Sequence, residues 1–248
     1  MFIDTHCHLS IEDYDDIDKV VKEDIEAGVK KIIVSACTKN TFEEALALAK
    51  KYDSIYVTLG FHPSEVDTTD ADLELLEELL KTDKVVGVGE IGLDYHYGKD
   101  DIDMQKELFE KQLIMAENLN LPVVIHSRDA VNDTIETLKK HNVKGVIHCF
   151  SGSIETADIY IKLGYKLGIG GVVTFKNSNL YKVVEHVGLD NIVLETDSPY
   201  LAPEPFRGKQ NSSKYIPVIA TKIADILNVS LSEVEDKTTM TASNLFDL

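Results

Sequence analysis

A (β/α)8 barrel, the TIM barrel, is the fold class the sequence predicts, and three observations predict it. Short apolar, β-branched runs recur eight times along 248 residues. The stretches between them carry helical spacing. The first and eighth runs start at Phe2 and Ile192, so each unit occupies roughly 27 residues, the spacing of parallel βαβ units in a barrel of ~250 residues.

Taken in order, the runs are Phe2–Thr5, Lys31–Ala36, Ile55–Gly60, Val85–Glu90, Val123–His126, Val146–Cys149, Lys166–Val172 and Ile192–Glu195. Each reads as a buried parallel strand. In Ala71–Leu80 the leucines at 73, 76, 79 and 80 form one apolar stripe, and in Met104–Asn118 Leu108, Phe109, Leu113 and Met115 do the same. The tail, Leu231–Leu248, reads as an extra helix with a serine cap, closing the outer ring. The rival, an open doubly wound sheet, calls for a Gly-rich first turn, where this chain has His6-Cys7-His8. With no Pro/Gly/Ser-rich linker and no shift in composition, residues 1–248 read as one domain.

Composition excludes several classes. A hydrophobic content of 44% with 27% charged residues is that of a folded globular chain, neither disordered nor fibrous. No apolar run approaches the ~18 residues of a membrane span, and the N-terminus lacks the pattern of a signal peptide. Cys7, Cys37 and Cys149 form no even set and no CxxC pair, which suits a reducing compartment, most simply the cytoplasm. A net charge of −18 opposes a broad nucleic-acid-coating surface and leaves room for a small positive site.

The chemistry-bearing residues stand at strand ends. His6 and His8 follow the first strand, His62 the third, and Glu90 ends the fourth; His126 and His148 close the fifth and sixth, and Asp197 follows the eighth. In a barrel these ends converge on one mouth. Residues i and i+2 of an extended chain face one way, so His6 and His8 point together and Cys7 away. By the same alternation Cys149 turns from the mouth, which argues against a cysteine-ligated zinc. Four imidazoles (His6, His8, His126, His148) and two carboxylates (Glu90, Asp197) suffice for two divalent ions. His141 and His186 lie near helix ends, where an imidazolium suits the macrodipole, and read as structural; His96 sits in the loop after the fourth strand.

Only two arginines occur, Arg128 and Arg207, each shortly after a proposed ligand. Their planar forks suit phosphate, and the alternative is a pair of salt bridges pinning acidic loops. Phe61, Tyr95 and Tyr200 offer rings on which bases could stack.

These segments resemble the TatD family of metal-dependent deoxyribonucleases, within the metal-dependent TIM-barrel hydrolases. The resemblance is carried by Ile3-Asp4-Thr5-His6-Cys7-His8, Gly60-Phe61-His62-Pro63, Gly89-Glu90-Ile91-Gly92-Leu93-Asp94-Tyr95, Val124-Ile125-His126-Ser127-Arg128-Asp129-Ala130, His148-Cys149-Phe150-Ser151-Gly152, Glu195-Thr196-Asp197-Ser198-Pro199-Tyr200 and Arg207-Gly208-Lys209. Where members commonly read Asn-Glu-Pro after that last segment, this chain has Asn211-Ser212-Ser213. The resemblance implies two divalent ions (Zn, Mn, Mg or Fe), with His6, His8 and Asp197 at one, His126 and His148 at the other, and Glu90 bridging. It also implies DNA as substrate, cut as a 3′→5′ exonuclease on single-stranded ends, with no membrane and no obligate protein partner. On that reading Asp197 and Glu90 are catalytic, and His62, Arg128, Arg207 and Tyr95 bind substrate. The alternative is a metal-dependent ester or amide hydrolase such as a D-aminoacyl-tRNA deacylase. A metal-binding scaffold without catalysis is a third reading, which the complete ligand set and the available base oppose.

Overall fold

The computed structural model describes every residue except Tyr97 and Lys99. Eight strands form one parallel sheet in sequence order: β1 (Phe2–Cys7), β2 (Val29–Ala36), β3 (Ile55–Leu59), β4 (Val85–Asp94), β5 (Val123–Arg128), β6 (Gly145–Ile147), β7 (Lys166–Ile169) and β8 (Ile192–Leu194). A parallel bridge between Cys7 and Ser198, with Asp197 N donating to His6 O at 3.0 Å, brings β8 back to β1 and rounds the sheet into a barrel. Helices α1 (Ile17–Glu26), α2 (Lys39–Lys51), α3 (Asp70–Leu79), α4 (Ile102–Leu119), α5 (Val131–Leu138), α6 (Ile154–Lys162), α7 (Leu180–Val187) and α8 (Ile216–Leu227) follow the strands in turn, and α9 (Leu231–Phe246) comes last.

Local chemistry explains the boundaries. Thr38 and Thr69 build reciprocal capping boxes at the starts of α2 and α3, and Ser153 and Ser230 cap α6 and α9 through Thr156 N and Glu233 N. The stripe read in α3 is buried through Leu73 and Leu76. Strands β6, β7 and β8 are shorter than the apolar runs suggest. After β7 the chain turns at Gly171, where a Cβ would meet Leu201 O at 2.2 Å. The backbone of the next strand's loop occupies that space, so β7 stops there.

Two expectations are corrected. Glu90 does not end the fourth strand; β4 continues to Asp94. Between Val88 and Ile91 the register against β5 slips, β4 advancing three positions while β5 advances two, from Val123 to Ile125. Such a bulge re-aims a side chain, here Glu90, into the barrel. The tail helix is not a member of the outer ring. Ala242 and Phe246 of α9 pack with Ile3, Ile33, Val86, Val124, Val146 and Val193 in a cluster under the barrel floor, while α8 fills the eighth place in the ring. Among the described residues, no helix is long and apolar enough to cross a membrane.

Candidate metal centre

The six residues read as ligands converge at the C-terminal ends of the strands. His6, from β1, is 1% exposed, and its Nε2 lies 3.3 Å from His8 Nε2. Glu90 faces this pair with one oxygen: Oε2 is 3.6 Å from His6 Nε2 and 3.9 Å from His8 Nε2. Its other oxygen faces a second pair, Oε1 lying 2.5 Å from His126 Nδ1 and 3.7 Å from His148 Nε2. Asp197 Oδ1 is 3.7 Å from His6 Nε2, 3.6 Å from His8 Nε2 and 3.7 Å from His148 Nε2. Asp197 adopts a φ of 55°, in the left-handed region that aspartate tolerates.

Whether these donors suit a cation can be judged from their spacing. Around a tetrahedral ion with bonds of ~2.1 Å, neighbouring donors sit ~3.4 Å apart. His6 Nε2, His8 Nε2, Glu90 Oε2 and Asp197 Oδ1 are separated by 3.3–3.9 Å in the pairs quoted above. Two imidazole nitrogens facing each other at 3.3 Å leave no room for protons on both. The donor set therefore fits one divalent ion there. The set of Glu90, His126 and His148 also lies within 4.8 Å, as a second ion requires.

The electrostatics agree. Burial works against charge on His148, but Glu195, Glu90 and Asp197 outweigh it and push its pKa up to about 10. His126 likewise rises to about 9 against burial, through Asp94 and Glu90. Burial and the neighbouring His148 hold His6 well below the imidazole range. Burial also opposes the charge on Glu90, yet His148 and His126 hold its carboxyl well below normal. A cluster whose carboxylates call for nearby positive charge is one a metal cation can satisfy.

Further residues, given no role in the sequence analysis, hold these side chains in place. Glu195 is fully buried, accepts from Cys149 N at 2.6 Å, and places Oε1 3.2 Å from His148 Nδ1, turning Nε2 of that ring to the mouth. Gly168 makes room for it: a Cβ there would meet Glu195 Oε2 at 2.1 Å. Asp94 Oδ2 lies 3.2 Å from His126 Nε2, so the other nitrogen of that ring faces Glu90. Carboxylates behind histidine ligands orient the rings in this way. Asp4 accepts from Thr196 N, Thr196 Oγ1 and Ser213 Oγ, pinning the loop that carries Asp197. The departure at Asn211-Ser212-Ser213 thus has a job, with Ser213 on Asp4 and Ser212 Oγ on Asp24 at 2.7 Å. Cys37 Sγ stands 3.7 Å from Glu90 Oε2. Cys7 does turn away, toward Ile33 O, whereas Cys149 groups with His148 and Glu195.

The residues read as substrate-binding are dispersed. His62 lies edge-on to His126, centroids 4.7 Å apart, with Nδ1 on Ser64. Tyr95 is partly buried: its hydroxyl donates to Asp133 at 2.8 Å and its ring packs against the core. Arg128 is the last residue of β5 and lies 4.0 Å from Asp94. Arg207, in the loop after β8, stacks on Phe175. Outside the mouth, His141 faces Glu117 and His186 faces Asp158, as structural residues do.

A sequence model described as TatD related DNase matches residues 3–247. The chain is 40% identical to the uncharacterized metal-dependent hydrolase YabD of Bacillus subtilis, covering 99% of each chain. It is 35% identical to the uncharacterized metal-dependent hydrolase YcfH of Escherichia coli K12, over 99% of this chain and 96% of that one. Among solved structures, the crystal structure of YjjV, a TatD homolog from E. coli K12, superposes with a TM-score of 0.92 at 33% identity, covering 100% of this chain and 98% of the other. With its strand-end histidines and carboxylates in one mouth, this chain belongs to the TatD family and is a metal-dependent hydrolase of that type.

Proposed function

We propose that this hydrolase cleaves phosphodiester bonds in single-stranded DNA, trimming from the 3′ end with two divalent ions. The observation that carries it is Glu90, whose two oxygens face two separate nitrogen sets. His6, His8, Asp197 and Glu90 would hold one ion, and Glu90, His126 and His148 the other. Such ions supply Lewis acidity at a phosphoryl oxygen and make a water acidic enough to attack it at neutral pH. Asp197, partly exposed at the mouth, would take the proton of that water. His62 and Arg128 stand beside the second set, within reach of the phosphate. The family description names a DNase, and a body of charge −18 suits strand ends over long tracts, because few phosphates can be neutralised at once.

The test strips the protein of metal and returns Zn, Mn, Mg or Fe singly. Each form is offered 5′-labelled and 3′-labelled single-stranded DNA, duplex, RNA and D-aminoacyl-tRNA. A chelator should abolish turnover and one cation restore it, with the 3′ label lost first. Asp197→Asn should lose about a hundredfold or more in kcat while staying folded. Internal cuts as the main early product, or faster release of amino acid from D-aminoacyl-tRNA, would overturn the proposal.

A further inference from the structure

Two cavities flank the metal centre. One, of about 400 Å³, lies by the loops after β3 and β4 and is lined by His62, Asp94, Asp100 and Asp101. The other, of about 390 Å³, lies among the loops after β6, β7 and β8, with Ser151, Phe175, Asn177, Asn179 and Arg207 on its walls. With the strands in ring order, these two flanks stand on opposite sides of the mouth. One wall is acidic; the other carries a guanidinium and amides.

The second cavity is built before any ligand arrives. The guanidinium carbon of the exposed Arg207 is 4.5 Å from the Phe175 ring centroid, a contact that tethers it to one wall of the cavity. Among the described residues no carboxylate lies within 4.0 Å of Arg207, in a chain with 43 acidic residues. The side-chain amides of Asn177 and Asn179 have no hydrogen-bond partner among the described residues either. The loops beneath are locked together: Glu204 N donates to Thr174 Oγ1 at 2.9 Å, and Phe206 stacks on Tyr215 at 4.3 Å. A guanidinium fork matches phosphate geometry, and its open plane can stack a base.

We infer that this cavity is the subsite for the nucleotide next to the scissile one, on the retained side of the strand. Its phosphate sits on the Arg207 edge with the Asn177 and Asn179 amides, and its base covers the open guanidinium face. The inference rests on the DNA reading above. It moves Arg207 from the scissile phosphate to the neighbouring one. The strand leaves over Arg207 because Asp100 and Asp101 repel it on the other flank.

The experiment compares kcat/KM on tetrathymidylate with that on bis(p-nitrophenyl) phosphate, a diester without a neighbouring nucleotide. Arg207→Gln should lower the ratio of the two at least tenfold, and Asn177→Ala and Phe175→Ala severalfold, with melting temperatures held. An equal loss on both substrates would put Arg207 on the scissile phosphate and overturn the inference, and so would no loss on either. A second readout uses fluorescein-labelled phosphorothioate tetrathymidylate on the metal-loaded enzyme, followed by anisotropy. Arg207→Gln should weaken its binding about tenfold. If the wild type cuts no DNA but shows this Arg207-dependent binding, the cleavage reading falls and the subsite stands. Binding indifferent to Arg207 overturns the subsite whatever the cleavage result.

Discussion

Asp24 shows what one buried carboxylate costs. It is 1% exposed, and its Oδ1 accepts both Ser212 Oγ and Lys214 N at 2.7 Å. Burial raises its pKa from 3.8 to about 6, against the lowering effect of those hydrogen bonds. A carboxyl raised on folding stabilises the fold fully below its unfolded pKa, and that contribution is lost as pH climbs through about 6. Asp24→Asn keeps the accepting oxygen and removes the charge. The variant should be more stable than wild type at pH 8, by roughly 3 kcal/mol, and the gap should close near pH 4; thermal unfolding across that range checks it. Asp24 was not legible as special in the sequence, and neither was Glu195. Glu195 lies two residues before Asp197, but its role comes from the Gly168 backbone and the His148 ring, both distant along the chain. The six strand-end donors themselves were legible because a strand end fixes direction as well as place.

At the scale of elements, β4 and α9 carry the surprises. The run Val85–Glu90 predicts a strand from its apolar residues, yet glycines hide where that strand ends and where it bulges. At Gly89 a Cβ would meet Val124 Cβ at 2.6 Å, so β4 approaches β5 there more closely than a side chain allows. No periodicity announces such an approach. Helix α9 was readable as a helix from its serine cap and spacing, but not as the plug of the barrel floor, which depends on where six strands begin. Phe246 is 2% exposed in that plug. Phe246→Ala should destabilise by about 3–5 kcal/mol and lower the melting temperature by on the order of 10 °C. Turnover per folded molecule should be unchanged, because the floor and the mouth are opposite ends of the barrel. A large loss of turnover with normal melting would contradict the plug.

For the whole molecule, on the DNA reading proposed above, the charge of −18 and the confined cationic flank set how the strand is held. Only one or two phosphates can meet cations at the mouth. Each neutralised phosphate of a single strand contributes about −0.7 to the slope of log K against log salt. The expected slope for a phosphorothioate oligonucleotide is therefore about −1, and lengthening the strand beyond a few nucleotides should leave it unchanged. A slope that steepens with length would reveal a wider basic track than the structure offers.

The sequence by itself determined the barrel and which donor side chains stand at its strand ends. Both follow from short-range rules: a repeating βα unit sets the fold, and a strand end sets the direction of a side chain. Tertiary structure alone decided the bulge that aims Glu90, the carboxylates behind His126 and His148, and the separation of Arg128 from Arg207 on two flanks. Each of these depends on which distant backbone lies alongside. Arg128 finds Asp94 because β4 and β5 pair in that register. Arg207 finds Phe175 because the loops after β7 and β8 are packed together. Local spacing carries no record of either neighbour, since both arise from closing the ring.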